Sequence, residues 1–295
     1  MRLGTIRAGG GTRCVLVRDG AAVELPYADV VELLAGDPDW ARVTPPSGAA
    51  THDVTTVEWA PLVVRPGKIF CLGHNYRKHI AEMKRDMPSY PTLFAKFPEA
   101  LIGARDDIVL PAVSEKPDWE AELGLVIGRA VRRESPERCA DAIAGYTVVN
   151  DITMRDWQKR TLQWLQGKTF EASTPVGPVL VTPDELDGAH DLHLRCEVDG
   201  EVVQETQTSD MLFAPADIVS YISMVITLKP GDLVSTGTPG GVGDARTPPR
   251  YLRPGQRLRT SIEGIGELDN RCVADGAGDH VARAVSAAGA SPAPA

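Results

Sequence analysis

Cysteine is scarce in this 295-residue chain. Its five residues (Cys14, Cys71, Cys139, Cys196, Cys272) each stand more than fifty positions from the next, with no CxxC pair. That spacing excludes a disulfide framework and a zinc ribbon, and it suits separate thiols in a reducing compartment. The expectation is a cytoplasmic protein whose thiols are buried and inert, Cys71 included although it adjoins a candidate functional loop. Long apolar runs are missing too. Stretches such as Ile108–Leu110 or 179–181 fall far short of the roughly 20 residues a membrane span needs. Residues 1–11 carry two arginines and no apolar core of a secretory leader. Positive charge is in deficit: 31 Lys and Arg face 40 Asp and Glu, a formal net charge of −9. No basic run overrides that balance, so neither nucleic acid nor a membrane is expected as a partner. What remains is 43% hydrophobic and 24% charged, a composition that can bury a core. The length suits one large domain with a small appendage.

Turn chemistry divides the chain. Residues 13–18 and 21–25 flank Asp19-Gly20 as short strands, 28–34 reads as a short helix, and 44–56 reads as a linker. Together they make residues 1–64 a small β-rich domain. From Arg65-Pro66-Gly67 onward, apolar segments alternate with Gly and Pro through a larger domain, 65–275. Segments 192–198, 201–205 and 232–236 have strand size. Helix candidates are few: 75–83, 136–143, 154–165 and 215–227, the last with Pro215 suited to a first turn. Many strands, few helices and no βαβ alternation predict a β-dominated α+β fold. Residues 276–295, rich in Ala, Gly, Ser and Pro, read as a flexible tail.

The chemistry begins at residues 118–128, Asp-Trp-Glu-Ala-Glu-Leu-Gly-Leu-Val-Ile-Gly. As a strand this run puts Glu120, Glu122, Gly124 and Val126 on one face, and Ala121, Leu123, Leu125 and Ile127 on the other. At a rise of about 3.3 Å per residue the two carboxylates stand about 7 Å apart, which suits two ligands converging on one cation. A half-buried strand with a solvated acidic face accounts for the same pattern. The run 145–151 ends in Asp151 ahead of a helix candidate, where the carboxylate either joins a site on neighbouring strands or caps the helix. Acting together without a His or Cys ligand, the three carboxylates specify a hard ion: Mg²⁺ or Mn²⁺, with Ca²⁺ admitted and Zn²⁺ disfavoured.

His79 and Glu82 are three apart on a helix candidate and share a face. A carboxylate that fixes an imidazole tautomer makes a base able to activate water, whereas a plain surface pair contributes almost nothing. His74 is poorly placed to share a metal with His79. Lys168, in Gln166-Gly-Lys-Thr-Phe, either enters a site as partner to an oxyanion or carboxylate or stays solvated. The Gly-rich run 232–243 follows a strand but opens no helix, and it lacks Gly-Lys-Ser/Thr. It is therefore neither a dinucleotide fingerprint nor a Walker loop, although its amides can cradle a carboxylate. There is no GxSxG elbow.

In this order and spacing, the chain resembles the fumarylacetoacetate hydrolase family over roughly residues 65–273. The residues that carry the resemblance are Glu120 and Glu122, Asp151 twenty-nine positions after Glu122, and Thr236-Gly237-Thr238-Pro-Gly-Gly-Val-Gly. The resemblance extends to the small N-terminal unit of many members. It implies a mixed β-sandwich roll, a homodimer, and Mg²⁺ or Mn²⁺ on Glu120, Glu122 and Asp151. It further implies that His79 and Glu82 are the catalytic dyad of the smaller members, carried on a lid. Arg155, Gln158 and Lys168 match positions that hold the substrate and stabilise its oxyanion, and Gly237 and Thr238 belong to the loop that meets the substrate carboxylate. The eukaryotic fumarylacetoacetate-cleaving branch has its dyad glutamate after the Gly-rich loop. Here residues 248–253 read Pro-Pro-Arg-Tyr-Leu-Arg, so Glu82 must serve, as in the short acylpyruvase-like members. The activity implied is metal-dependent hydrolysis of a C–C bond in an acylpyruvate or fumarylacetoacetate-like 2,4-diketo acid, by water activated at His79 and Glu82. The same frame supports decarboxylation of a 2-oxo diacid such as oxaloacetate, keto–enol or 2-hydroxyhepta-2,4-diene-1,7-dioate isomerisation, or a catalytically silent diacid-binding dimer. The substrate's distal half is expected against residues 83–100, where an Arg or Lys can receive a second carboxylate.

Overall fold

The computed structural model of the chain describes residues 1–82 and 86–276. Met83, at the end of the 75–83 helix candidate, and the tail from residue 277 lie outside the described residues. Side-chain alternation sets the architecture. All seven residues of the strand Ala121–Ile127 are buried, which excludes a solvated acidic face. Leu123, Leu125 and Ile127 enter one core with Leu194, Val198 and Leu268, while Val126 enters a second with Leu33, Cys71 and Leu180. A strand covered on both faces is apolar along most of both, and the buried Glu122 is the exception here.

Around it runs a mixed sheet in the order Thr51–Asp53, Ala21–Glu24, Gly11–Arg18, Arg2–Ala8, Thr174–Val181, Ile143–Asn150, Ala121–Ile127, Leu233–Ser235, Ile69–Gly73 and Thr92–Ala95. Leu101–Ile102 pairs in parallel with Thr174–Val181. The first core lies between this sheet and a five-stranded one: Glu201–Gln207, His193–Val198, Arg257–Ile262, Gly266–Ala274 and Ile108–Leu110. The second core is closed in part by the helix Val30–Gly36. This is the β-dominated α+β fold that the strand-rich pattern predicts. The N-terminal strands continue the large sheet through the antiparallel pairing of Arg2–Ala8 with Thr174–Val181. The stretch expected as a linker contains the edge strand Thr51–Asp53, paired with Ala21–Glu24. Only one of its sides is bonded, so polar residues suffice there and no apolar alternation marks it.

The helix expected over 154–165 is instead two single turns, Arg155–Gln158 and Leu165–Lys168. The chain doubles back between them. Gly167 permits this, since a Cβ there would stand 2.4 Å from the Gln158 amide nitrogen. Gln166 Nε2 also donates to the Trp157 carbonyl at 3.0 Å. Tertiary contact thus overrides local propensity. The remaining helices are shorter than expected: Arg77–Glu82, Pro136–Ala140 and Pro215–Val225, the last with proline in its first turn.

Among the described residues no helix is long and apolar enough to cross a membrane. All five cysteines are free and buried. Burial, followed by the nearby Asp151 charge, holds the Cys71 thiol well above its ordinary range, so it forms no reactive thiolate at neutral pH. An aromatic disulfide reagent should therefore count no thiols in the native protein and all five after denaturation. A native count of one or more would contradict the burial.

Candidate metal centre

Strand register brings the site together. Antiparallel pairing sets Ala121 opposite Asn150, so the residues just beyond the ladder, Glu120 and Asp151, meet. The Asp151 amide donates to the Glu120 carbonyl at 2.8 Å, and the Glu120 amide donates to Asn150 Oδ1 at 2.9 Å. Glu122 follows two residues later and so returns to the same face. The three carboxylates each offer an oxygen within 4.8 Å of the others, and all three residues are buried. Asp151 does not cap the next helix; Met154 occupies that position.

In this site four buried carboxylates, with Asp118 joining the three, meet three buried cations, Lys96, Arg155 and Lys168. Lys168 Nζ bridges Glu120 Oε2 at 2.5 Å and Asp151 Oδ2 at 2.7 Å. Lys96 Nζ holds the other Asp151 oxygen. Arg155 reaches Glu120 at 2.6 Å and Asp118 at 2.8 Å. Burial works against the charges of Asp151, Lys168 and Arg155, yet for these three the partners prevail, whereas burial pushes the Asp118 carboxyl up in spite of Arg155. Lys168 and Lys96 hold Asp151 below the usual carboxylate range despite its burial. Asp151 and Glu120 hold the Lys168 ammonium above its own range, and Glu120 and Asp118 do the same for Arg155. These groups stay ionised at neutral pH.

Glu122 differs. No salt bridge reaches it among the described residues; Ser235 Oγ and the Gly237 amide donate to its Oε2, the latter at 2.8 Å. Its Oε1 is buried without a partner. Burial, then the Asp151 and Glu120 charges, push its pKa well up. An orphaned carboxylate oxygen beside two further carboxylates lacks a cation. Three carboxylates without nitrogen or sulfur donors fit a hard divalent ion, which Glu120, Glu122 and Asp151 would hold.

A cavity of about 460 Å³ opens on this centre, and His79, Glu120, Arg155, Gln158, Lys168 and Thr238 all line it. Arg155 Nη2 is buried and unpartnered. Gln158 Oε1 accepts from Arg155 Nη1 at 3.0 Å, which leaves its Nε2 protons for a ligand. Burial lowers the pKa of His79 in spite of Glu120 and Glu82, so its imidazole is neutral at pH 7. Glu82 Oε2 stands 3.7 Å from His79 Nδ1, with its side chain 58% exposed. The two are adjacent but beyond hydrogen-bond reach. Glu82 rests on the Gly-rich loop at Gly240, where a Cβ would approach its Oε2 to 2.3 Å.

Two loop residues expected at the substrate carboxylate are engaged elsewhere. Gly237, at φ +96°, directs its amide to Glu122. Thr238 lines the cavity, but its hydroxyl donates to the Ala121 carbonyl at 3.0 Å and accepts from Gln204 at 2.8 Å. Other residues of the site carry no motif. Lys96 lies in the segment expected to face a distal carboxylate, yet it is buried on Asp151. Its signal is a lysine inside the apolar run Leu93-Phe94-Ala95-Lys96-Phe97, since a lysine buried in such a run must be paired. Asp118 accepts from the amides of Trp119, Gly243 and Asp244 at 2.9, 2.7 and 3.0 Å. Asn150 links the Glu120 amide to Thr260 in the second sheet.

Known proteins resemble the chain in sequence and in fold. A family model described as fumarylacetoacetate hydrolase C-terminal matches residues 68–273. The chain is 41% identical over 212 residues to the mitochondrial oxaloacetate tautomerase Fahd2a of Rattus norvegicus, covering 72% of this chain and 68% of that protein. Its structure is similar to that of 2-hydroxyhepta-2,4-diene-1,7-dioate isomerase from Mycobacterium marinum, with a TM-score of 0.75 and 34% identity over 94% of this chain and 99% of the other. It is also similar to fumarylpyruvate hydrolase from Pseudomonas aeruginosa in complex with Mn²⁺ and pyruvate, with a TM-score of 0.65 and 31% identity over 71% and 91% of the two chains.

A divalent ion at the triad should stabilise the fold. At a hundredfold excess over Kd, Mn²⁺ should add about 2.7 kcal/mol, read as a rise in Tm. Glu122→Gln, which removes an ionised ligand, should abolish the rise. A variant that keeps it would refute the assignment of Glu122.

Proposed function

The chain belongs to the fumarylacetoacetate hydrolase family, and on that premise we propose that it is a divalent-metal-dependent keto–enol isomerase of a 2-oxo acid. Its ion is Mg²⁺ or Mn²⁺, held by Glu120, Glu122 and Asp151. The observation that carries this reading is the protonation pattern of the cavity wall. His79 is kept neutral by burial, while Arg155 and Lys168 are kept charged by their carboxylate partners. The wall thus combines a base with fixed positive charge.

A divalent ion held by Glu120, Glu122 and Asp151 would supply Lewis acidity toward a 2-oxo acid and ease charge growth on its oxygen. The rest of the chemistry belongs to side chains. Arg155 Nη2 and Gln158 Nε2 donate to the substrate carboxylate. His79 takes a proton from C3, next to the oxo group, and the Lys168 and Arg155 charges stabilise the negative charge growing on the C2 oxygen. A proton from solvent on that oxygen completes the enol, and the reverse path regenerates the ketone. The similarity to an oxaloacetate tautomerase and to a dioate isomerase supports isomerisation.

Hydrolysis of an acylpyruvate is the second reading. The adjacency of Glu82 to the unpartnered His79 Nδ1 favours it, as does the similarity to a fumarylpyruvate hydrolase. It needs a further element, a bonded dyad holding water, for which Glu82 Oε2 and His79 Nδ1 must close from 3.7 Å. Proton transfer needs His79 alone.

Enolic oxaloacetate and acetylpyruvate, each with Mg²⁺, separate the readings. Faster decay of the enol absorbance without CO₂ supports isomerisation. Acetate plus pyruvate from acetylpyruvate would establish the hydrolase instead, and CO₂ from oxaloacetate the decarboxylase. For the isomerase, His79→Asn should lower kcat by about 10²–10⁴-fold. The base works unprotonated, so activity should be full above its pKa and fall as pH drops through it, below the ordinary imidazole value of 6.5. An acid limb above that value would point to another group.

A further inference from the structure

The cavity has two unlike walls. One is ionic, built around Glu120, Arg155, Gln158 and Lys168; much of the rest is apolar, formed by Leu72, Phe94, Leu162, Trp164 and Val242. Trp164 organises the apolar wall. Its ring meets Phe94 and His74 edge-on, each with ring centroids 5.5 Å apart. Gly73 makes room for it, because a Cβ there would stand 2.3 Å from Trp164 Cζ3. Phe94 in turn faces Lys168 Nζ, which lies 4.9 Å from its ring centroid. The aromatic wall therefore begins where the ionic one ends. Leu162, also part of the lining, is 99% exposed, an aliphatic side chain that an apolar group bound beside it would cover.

The cavity has room for more than a short diacid, and its described cations are committed to other partners. Even at a water's share of about 30 Å³ per heavy atom, the nine non-hydrogen atoms of oxaloacetate would fill about 270 Å³. The cavity measures about 460 Å³. A second carboxylate would also meet cations that are already engaged. Among the described lining residues, Lys168 is held by Glu120 and Asp151 and Lys159 Nζ by Asp244 at 2.6 Å, while the unpartnered Arg155 Nη2 is taken by the head carboxylate.

Building on the ionic wall as the seat of a 2-oxo acid, which is the reading of the preceding subsection, we propose that the preferred substrate carries a flat, uncharged distal group. That group, an aromatic ring or a conjugated chain, stacks on Trp164, which makes Trp164 a specificity-determining residue. The ionic wall orients the reacting head, and the aromatic wall selects what is attached to C3.

Two unreactive probes test this by calorimetry on the full chain with Mg²⁺: oxamate, which presents the head alone, and N-phenyloxamate, which adds a ring. N-phenyloxamate should bind about tenfold more tightly, the scale of an aromatic contact with its burial. Trp164→Leu should erase most of that ratio, and Trp164→Phe should restore it. The exposed Leu162→Ser, which poses no risk to folding, should lower the ratio by about threefold, the scale of one or two buried methylenes. In turnover, the ratio of kcat/KM for phenylpyruvate over oxaloacetate should fall in Trp164→Leu in step with the binding ratio. If oxamate binds and the ring adds nothing, the distal-group proposal is overturned while the head site stands. If Trp164→Leu and Leu162→Ser both leave the ratio unmoved, the aromatic wall is not the selector. If oxamate itself does not bind, the reading of the ionic wall fails, and this proposal with it.

Discussion

Burying seven charges in one place is the constraint on which the rest of the structure depends. An ion taken from water into a protein interior costs several kcal/mol unless partners and hydrogen bonds replace its hydration. Here Glu120, Asp151 and Asp118 are answered by Lys168, Lys96 and Arg155 through ion pairs of 2.8 Å or less. Such a cluster tolerates little slack. It is carried accordingly on the pairing of Ala121–Ile127 with Ile143–Asn150, two strands without an exposed residue. The member left without a cationic partner among the described residues is Glu122, where a divalent cation would complete the balance.

The Gly-rich loop is part of the same solution. Its sequence invites the reading of a ligand cradle, and its geometry is first that of a brace. Gly237 donates to Glu122, Gly243 donates to Asp118, and Gly240 is pressed against Glu82. Glycine is needed where these approaches leave no room for a Cβ. Gly243 is the clearest case, because a Cβ there would fall 1.8 Å from the Arg250 carbonyl oxygen. The loop therefore ties Glu122 and Asp118, the anchor of Arg155, into one frame and lies against the Glu82 side chain. A frame of that kind is what electrostatic stabilisation of a developing charge requires, because dipoles already in place need not reorganise during the reaction.

The cavity above this frame shows a division of labour. Fixed charge and a neutral imidazole gather on one side, and Trp164 with its aromatic neighbours on the other. Both sides depend on the pair of short turns at Arg155–Gln158 and Leu165–Lys168. One continuous helix would separate its ends along the axis by about 1.5 Å per residue. The reversal at Gly167 instead lets Arg155, Gln158, Trp164 and Lys168 line a single cavity.

The sequence alone determined the strand-rich class and singled out the three carboxylates that the fold brings together, because strand periodicity and the Glu-x-Glu spacing are local properties that the backbone translates directly into faces. It also marked His79, Arg155, Gln158 and Lys168 as candidates, through the order of short motifs. What only the tertiary structure decided was which polar residue answers which. Lys96 went to Asp151 rather than to a substrate, Asp118 became the anchor of Arg155 and the Gly-rich loop, and Gly237 and Thr238 turned inward as scaffold. Those assignments depend on contacts between residues far apart in the chain. Their direction is set by the need to satisfy buried charge in three dimensions, and no pattern along one dimension records that need.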